Sequence, residues 1–385
     1  MTPRKFCLVC LLVFCSVFTC AFSHNFNLQS SVDFTPQITA LAFHSSPTNT
    51  RSTKYAQTQI ALPVNLFLNE NFSFSLEYFL SYSYFDTETD TYNKLNKANI
   101  SYNTNKLSIN GGRNFLDLGL NSVIYFGNYT NRDLKHPSYF DGVLANYKIN
   151  SFINFAAVGG TFDANRDFYG AILDISYLKT FYFLSKEEEG LDLAIYGANI
   201  AYFNETFAID LLAAFNKGDK AKIFLGLPIQ EEYKGKMFAG NIKLKKEGDV
   251  FNSEISFGAE YLSPDKEAKG YRAINANLDR GFIFGNLTQD LQTLTYKLGL
   301  KATPNIIKDL TGEVKIYNIT STDKSKTNQD IASEINLSLH YQYNKISFEL
   351  IYGYLQAGAS FSSYATGFED KPTINKLGFI LSFQF

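Results

Sequence analysis

Ser338 and His340 stand two residues apart near the end of the 385-residue chain, and an extended segment places both on one face. A hydroxyl beside an imidazole is what nucleophilic hydrolysis needs, and no other such pair lies wholly within an expected strand. The remaining histidines, His24, His44 and His136, are scattered. No Gly-x-Ser-x-Gly, His-Glu-x-x-His or phosphate-binding glycine loop occurs. Enzymatic activity is therefore not expected. Two acidic runs, Asp86 to Asp90 and Asp163 to Asp167, hold enough carboxylates for a weak calcium site, but solvated loop charge accounts for them more simply. No metal or other cofactor is implied.

The charged residues that remain make sense only once the elements that carry them are found. In residues 72 to 85, FSFSLEYFLSYSYF, every even position from Phe72 to Tyr84 is apolar or aromatic, while the odd ones are mostly Ser, with Glu77 and Phe79. Segments of this period recur to the last residue, which is the pattern of a transmembrane antiparallel β-barrel, an all-β fold. Eighteen spans are expected, with sixteen as the alternative: 36–44, 54–67, 72–85, 94–103, 106–113, 141–149, 151–162, 167–177, 179–184, 191–203, 206–215, 236–246, 252–262, 291–302, 309–320, 333–343, 346–356 and 376–385. Every second connection is short, as periplasmic turns are. The others include long ones, 114–140, 216–235, 263–290, 321–332 and 357–375, as external loops do.

Composition agrees with that reading. Aromatics make up 16 % of the chain, with 36 Phe, 25 Tyr and no Trp, and rings of this kind suit a lipid-facing wall. Residues 1–23 read as a cleaved secretory signal, basic at Arg4 and Lys5, apolar from Phe6 to Phe18, and small-residue-rich at Ala21 to Ser23. Residues 24–385 are then one barrel domain. All four cysteines, Cys7, Cys10, Cys15 and Cys20, fall in the signal, so disulfides and thiolate chemistry are not expected afterwards. Its removal leaves 33 basic residues against 37 acidic, a balance that excludes nucleic acid as a natural partner.

Energetics then assign the faces. A Lys or Arg on the lipid side near the midplane costs about 2 to 4 kcal/mol, so charged strand positions are expected to point inward. The expected interior acids are Glu77, Asp174, Asp192, Asp210, Glu254, Glu260, Glu313, Glu334 and Glu349. The bases are Lys97, Lys148, Lys243, Lys245, Lys297, Lys301 and Lys315, with His340 beside them. Opposite charges are expected as neighbours, Glu77 beside Lys97 and Lys243 with Lys245 beside Glu260. Arg113 has the apolar parity of Leu107 and Ile109, so it lines the interior only if Gly111-Gly112 forms a bulge.

The segment SEINLSLHYQYNKISFELIYGYLQAGASF (333–361) resembles the last third of the alginate-export family of bacterial outer-membrane barrels. Gly112-Arg113-Asn114 is similar to that family's Gly-Arg-Gln step, and Phe140-Asp141-Gly142-Val143 to its Phe-Asp-Gly-Val segment. The resemblance implies an eighteen-stranded channel exporting an anionic polysaccharide through a basic lumen, whereas the interior expected here is mixed in sign. The last strand, KLGFILSFQF, ends in Phe385 and resembles the signal read by the barrel-assembly machinery.

The expectation is a bacterial outer-membrane, porin-like channel that contacts outer-membrane lipid and passes hydrophilic solutes, saccharides among them. A surface adhesin or receptor barrel with a plugged lumen is the alternative, and an outer-membrane enzyme the remote one.

Overall fold

In the computed structural model the described residues are 31–47, 53–85, 88–120, 123–124, 139–162, 166–187, 191–224, 227–264, 271, 283, 292–307, 309–323, 329–361 and 373–385. The signal segment, His24 and His136 lie outside them. The strands are β1 (Ser31–Phe34), β2 (Gln37–Pro47), β3 (Thr53–Phe67), β4 (Phe72–Phe85), β5 (Glu88–Asn103), β6 (Leu107–Asn114), β7 (Phe140–Lys148), β8 (Ile153–Phe162), β9 (Arg166–Ile175), β10 (Leu178–Glu187), β11 (Leu191–Phe203), β12 (Phe207–Phe224), β13 (Leu227–Lys246), β14 (Phe251–Leu262), β15 (Thr293–Pro304), β16 (Leu310–Ser321), β17 (Asp330–Tyr343), β18 (Ile346–Ala357) and β19 (Thr373–Gln384). Among the described residues there is no helix long and apolar enough to cross a membrane.

Each strand from β2 onward pairs antiparallel with the next, and β19 pairs with β2, so the sheet closes. β1 and β2 are one stave broken in the middle, because both run along β3 in the same register, Phe34 against Val64 and Gln37 against Ala61. The break is chemical. Continuing the register sets Pro36 and Thr35 against Leu62 and Pro63, and neither proline has an N–H to give the ladder. Eighteen staves result, as the alternation requires. At the seam the amide of the last residue, Phe385, donates to the Pro36 carbonyl at 2.9 Å.

Ladder partners share a face, so one assignment propagates around the cylinder. In β4, Tyr82 is 54 % exposed while Ser81 between its neighbours is 2 % exposed. Following the registers, Tyr82 shares its face with exposed Ile100, Val143, Tyr169, Tyr196, Phe257, Leu337 and Phe379, the outer wall. Ser81 shares the inner face with Gln57, Phe183, Asn199, Met237, Thr295, Glu334 and Ile351. Phe79 is inward, 5 % exposed, with its ring edge-on to Tyr92 at 6.1 Å.

Two expectations change. The span 216–235 is not a loop: β12 and β13 run on, paired from Phe207–Leu244 to Phe224–Leu227, as a hairpin that outreaches its neighbours. β11 stops at Leu191 against Lys220, and β14 stops at Leu262 against Met237. Lys, Asp and Glu at alternate positions hid this extension, because no lipid selects apolar residues beyond the membrane. The bulge expected in β6 is in β5. The β5–β6 and β6–β7 ladders run through Gly111 and Gly112 without a shift, whereas β4–β5 slips by one residue between Glu77–Lys97 and Tyr78–Leu95. Asn96 is the extra residue.

The register has a direct test. Leu76→Arg places a guanidinium on the outer face and is expected to cost about 2 to 4 kcal/mol near the midplane, while Ser75→Arg places it inside. Heat-modifiable migration of refolded protein reads the difference: Leu76→Arg lowers the folded fraction and Ser75→Arg leaves it near wild type.

Candidate functional site in the barrel interior

The inner wall is not uniformly polar. From β8 to β11 the inward positions include Ala156, Val158, Phe168, Ile172, Phe181, Phe183, Leu193 and Ile195, all buried. Phe168 sits edge-on to Phe140 at 5.9 Å and 5.5 Å from Phe183, which stacks on Phe181. Such a surface cannot face water cheaply, since each large apolar side chain left exposed forfeits about 1.5 to 3 kcal/mol. The segment after β6 covers it. Leu116, Leu120, Val123 and Ile124 are at most 2 % exposed and join the same cluster. Asp117 accepts the Gly119 amide at 2.8 Å, Gly119 has φ of 67°, and the amides of Val123 and Ile124 return to the Leu120 carbonyl. From the wall, Lys179 of β10 donates to the Leu118 carbonyl at 2.8 Å.

A second inward contact is made by Ile283, which lies between β14 and β15 in the chain. Ile283 is buried with Tyr317, Ile319, Ile331, Ile351, Leu355 and Ile374 on the inner face of β16 to β19. Its amide donates to the Glu334 carboxylate at 2.8 Å, and Glu334 is wholly buried. Tyr271, buried beside Tyr233 and Leu262, belongs to the first cluster. Burial pushes its phenol above the ordinary tyrosine range, and the nearby Glu260 carboxylate adds to that.

Two polar arcs remain between the covered sectors. On β3 to β6 the arc is amide and hydroxyl: Gln57 donates to Ser81 and, at 3.0 Å, to Ser83, and Gln59 donates to Gln57 at 3.0 Å. Ser101 donates to Asn110. At its edge Glu77 faces Lys97 across the ladder, with 3.9 Å between the charged atoms. On β13 to β16 the arc is charged. Lys245, Glu254, Lys301 and Glu313 are successive ladder partners, an alternating row across four strands. Lys243 reaches Glu254 at 3.3 Å, and Lys315 reaches Glu313 at 3.2 Å. Glu254, not Glu260, thus meets the two β13 lysines. Glu260 lies opposite Ala239 and Thr295. With Lys297, five lysines in this arc face three glutamates, so the mixed charge expected of the interior is locally basic.

The other expected interior residues separate by register. Lys148, Asp174, Asp210, Glu334, His340 and Glu349 carry inward parity; Asp210 accepts from Asn199, and His340 lies opposite Thr311 and Glu349. Among the described residues no hydrogen bond joins His340 to Ser338. Asp192 departs from the expectation. It shares the outer parity of Tyr196 and Ile200, at the external end of β11, where an outward carboxylate escapes the lipid penalty. Lys179, also inward, was not among the expected interior residues, and the apolar inner sector was not legible by the charge rule. The signal for that sector was the run of Phe and Ile at inward parity in β9 to β11.

Arg113 also departs. Without a bulge in β6 it keeps the parity of Ile109 and Gly111, opposite to inward Asn110 and Asn114. Its two guanidinium nitrogens grip Asp141, its ladder partner, at 2.8 and 2.7 Å. A third donates to the Leu95 carbonyl at 3.1 Å, beside the β5 bulge, and Tyr139 lies 4.0 Å from the guanidinium carbon. The Gly-Arg step and the Phe-Asp-Gly-Val segment therefore meet as an ion pair that closes the neck of the 115–138 connection. Gly112 makes the approach: its φ is 119°, and a Cβ there falls 2.2 Å from the Ala98 carbonyl oxygen.

Removing either part loosens the neck. Gly112→Ala forces strain of about 1 to 3 kcal/mol or more, and Arg113→Met loses charge-assisted bonds valued at about 1.5 to 3 kcal/mol each in sheltered sites, less here because both side chains are partly exposed. Urea midpoints of the folded protein in micelles are expected to fall for both, with Arg113→Lys intermediate because it cannot form the fork.

No protein-family model matches the chain, and no curated protein matches its sequence. Solved structures do. Acinetobacter baumannii OccAB1 aligns with TM-score 0.62 at 9 % identity, covering 92 % of this chain and 97 % of that one. Pseudomonas aeruginosa OccK5 (OpdH) aligns at 0.59 and 12 %, covering 92 % and 98 %. Pseudomonas aeruginosa OccK2 (OpdF), solved in complex with glucuronate, aligns at 0.59 and 11 %, again covering 92 % and 98 %. The fold is theirs at nearly full length.

Proposed function

We propose that this barrel is a porin-like channel of the bacterial outer membrane that passes small hydrophilic solutes down their gradients, with preference for anionic ones such as sugar acids. The observation that carries the reading is the charged arc on β13 to β16, left between two sectors that the chain covers with its own loops. A closed sheet of eighteen staves is wide enough to hold an aqueous path after such coverage. Water between narrow walls keeps charge effects strong, so five lysines against three glutamates favour an anion, while the alternating row offers a transverse field to a dipolar solute. The likeness to a barrel solved with glucuronate supports the sugar-acid cargo. The paired Gly-Arg and Phe-Asp-Gly-Val segments support a kinship with alginate-export channels, and with it a polysaccharide cargo as the second reading. Residues 1–23 serve as the export signal, and Phe385 at the seam as the mark read by the assembly machinery.

Conductance in planar bilayers tests the reading. Refolded protein is expected to give stepwise currents with a reversal potential on the anion-selective side in a salt gradient. Lys297→Gln with Lys315→Gln moves that potential toward cations. A silent barrel, or one whose selectivity ignores those two changes, removes the channel or the arc respectively.

A further inference from the structure

We infer that Lys179 is the positioning residue that sets the width of the bore, and that Asp174 competes for it. The inference rests on the channel reading above. Lys179 occupies an inward position of β10, and its direct ladder partner across β9 is Asp174, which is also inward. Facing Lys and Asp side chains in an antiparallel sheet are normally ion-paired, their Cβ atoms being roughly 5 Å apart. Here no ion pair joins them. The ammonium instead donates to the Leu118 carbonyl at 2.8 Å, in the segment that lies over the apolar wall. On its other side Lys179 faces Asn199, which binds Asp210 and offers no competing charge capture.

The loop is shaped to receive that ammonium. Gly119 follows the accepting carbonyl with φ of 67°, and a Cβ there falls 3.0 Å from the Lys179 nitrogen. A side chain at 119 therefore strains the turn and crowds the contact together. Asp117 holds the same turn by accepting the Gly119 amide. The apolar contacts of Leu116, Leu120, Val123 and Ile124 give the segment affinity for the wall without fixing its place along it. The bond from Lys179 supplies the place. One amine thus has two acceptors to choose between, a neutral carbonyl with the segment held in and the carboxylate of its ladder partner with it released, which makes the hold reversible. The acceptor is a backbone atom, so any side chain at 118 is compatible with it.

The test uses the full chain with its four cysteines changed to serine and Leu118→Cys added, which leaves the accepting carbonyl in place. Labelling by a water-soluble maleimide and single-channel conductance are read on the same preparations, with heat-modifiable migration confirming that each variant is folded. Lys179→Met is expected to speed labelling, raise conductance and admit larger neutral polyethylene glycols. Asp174→Asn removes the competitor and is expected to slow labelling and quiet the open-channel current. Gly119→Ala, in the loop rather than the wall, is expected to reproduce Lys179→Met in part. Faster labelling of Lys179→Met with no current from any form keeps the pin and removes the channel reading. Unchanged labelling in folded Lys179→Met overturns the pin. Conducting channels whose conductance and size exclusion ignore Lys179→Met overturn its control of the bore.

Discussion

A chain in a bilayer has no water to satisfy its backbone, and each N–H or C=O left open there costs several kcal/mol. The whole architecture follows from that constraint. It requires that the sheet close on itself, which β19 and β2 accomplish, and it dictates where irregularities can be tolerated. Pro36 and Pro63, which have no N–H, fall on adjacent rungs, in the one gap between β1 and β2. The extra residue in β5 would orphan a carbonyl, and the Arg113 guanidinium takes up that of Leu95. Each of these two defects is thus met locally, by clustering in one gap or by a charged side chain.

The same constraint shapes the interior indirectly. Once the wall is closed, its inner face is free of lipid, and the chain uses that freedom in two opposite ways. In two sectors it builds apolar surfaces and lays its own connections over them, as a soluble protein builds a core. Between those sectors it leaves Ser, Gln, Asn, Lys and Glu in hydrogen-bonded and ion-paired meshes. Buried amides and hydroxyls without a protein partner, those of Asn96, Asn216, Thr295 and Tyr271, are groups of the kind that water satisfies. The interior is better described as two small apolar cores flanking polar arcs than as a uniform tube.

How much of this the amino-acid order discloses depends on what each residue is opposed by. Lipid opposes charge without exception over the membrane's depth, so the alternation in β4 and β19 marks stave and face almost to the residue. Above the membrane that opposition ends, and the β12–β13 extension and outward Asp192 pass unread. Inside, an apolar residue is opposed by water or covered by chain, and alternation cannot tell which. Phe168, Phe183 and Ile195 stand at positions the rule reserves for polar groups, and only the covering segment explains them. Glycine-rich steps mislead in a different way. Gly111-Gly112 resembles a bulge because bulges need glycine, but the positive φ at Gly112 serves a close approach to Ala98 instead.

The seam has a consequence for time rather than for space. Thr39 meets Ser382 across 343 residues of chain at 3.0 Å, and the terminal amide bonds only to Pro36. The first stave and the last are thus synthesised far apart in time, and until β19 has emerged the sheet has two raw edges. Loop closure over such a span is slow and its reward is deferred. Open edges meanwhile invite pairing with any extended strand nearby. A nascent chain of this protein therefore needs an escort until β19 has paired with β2.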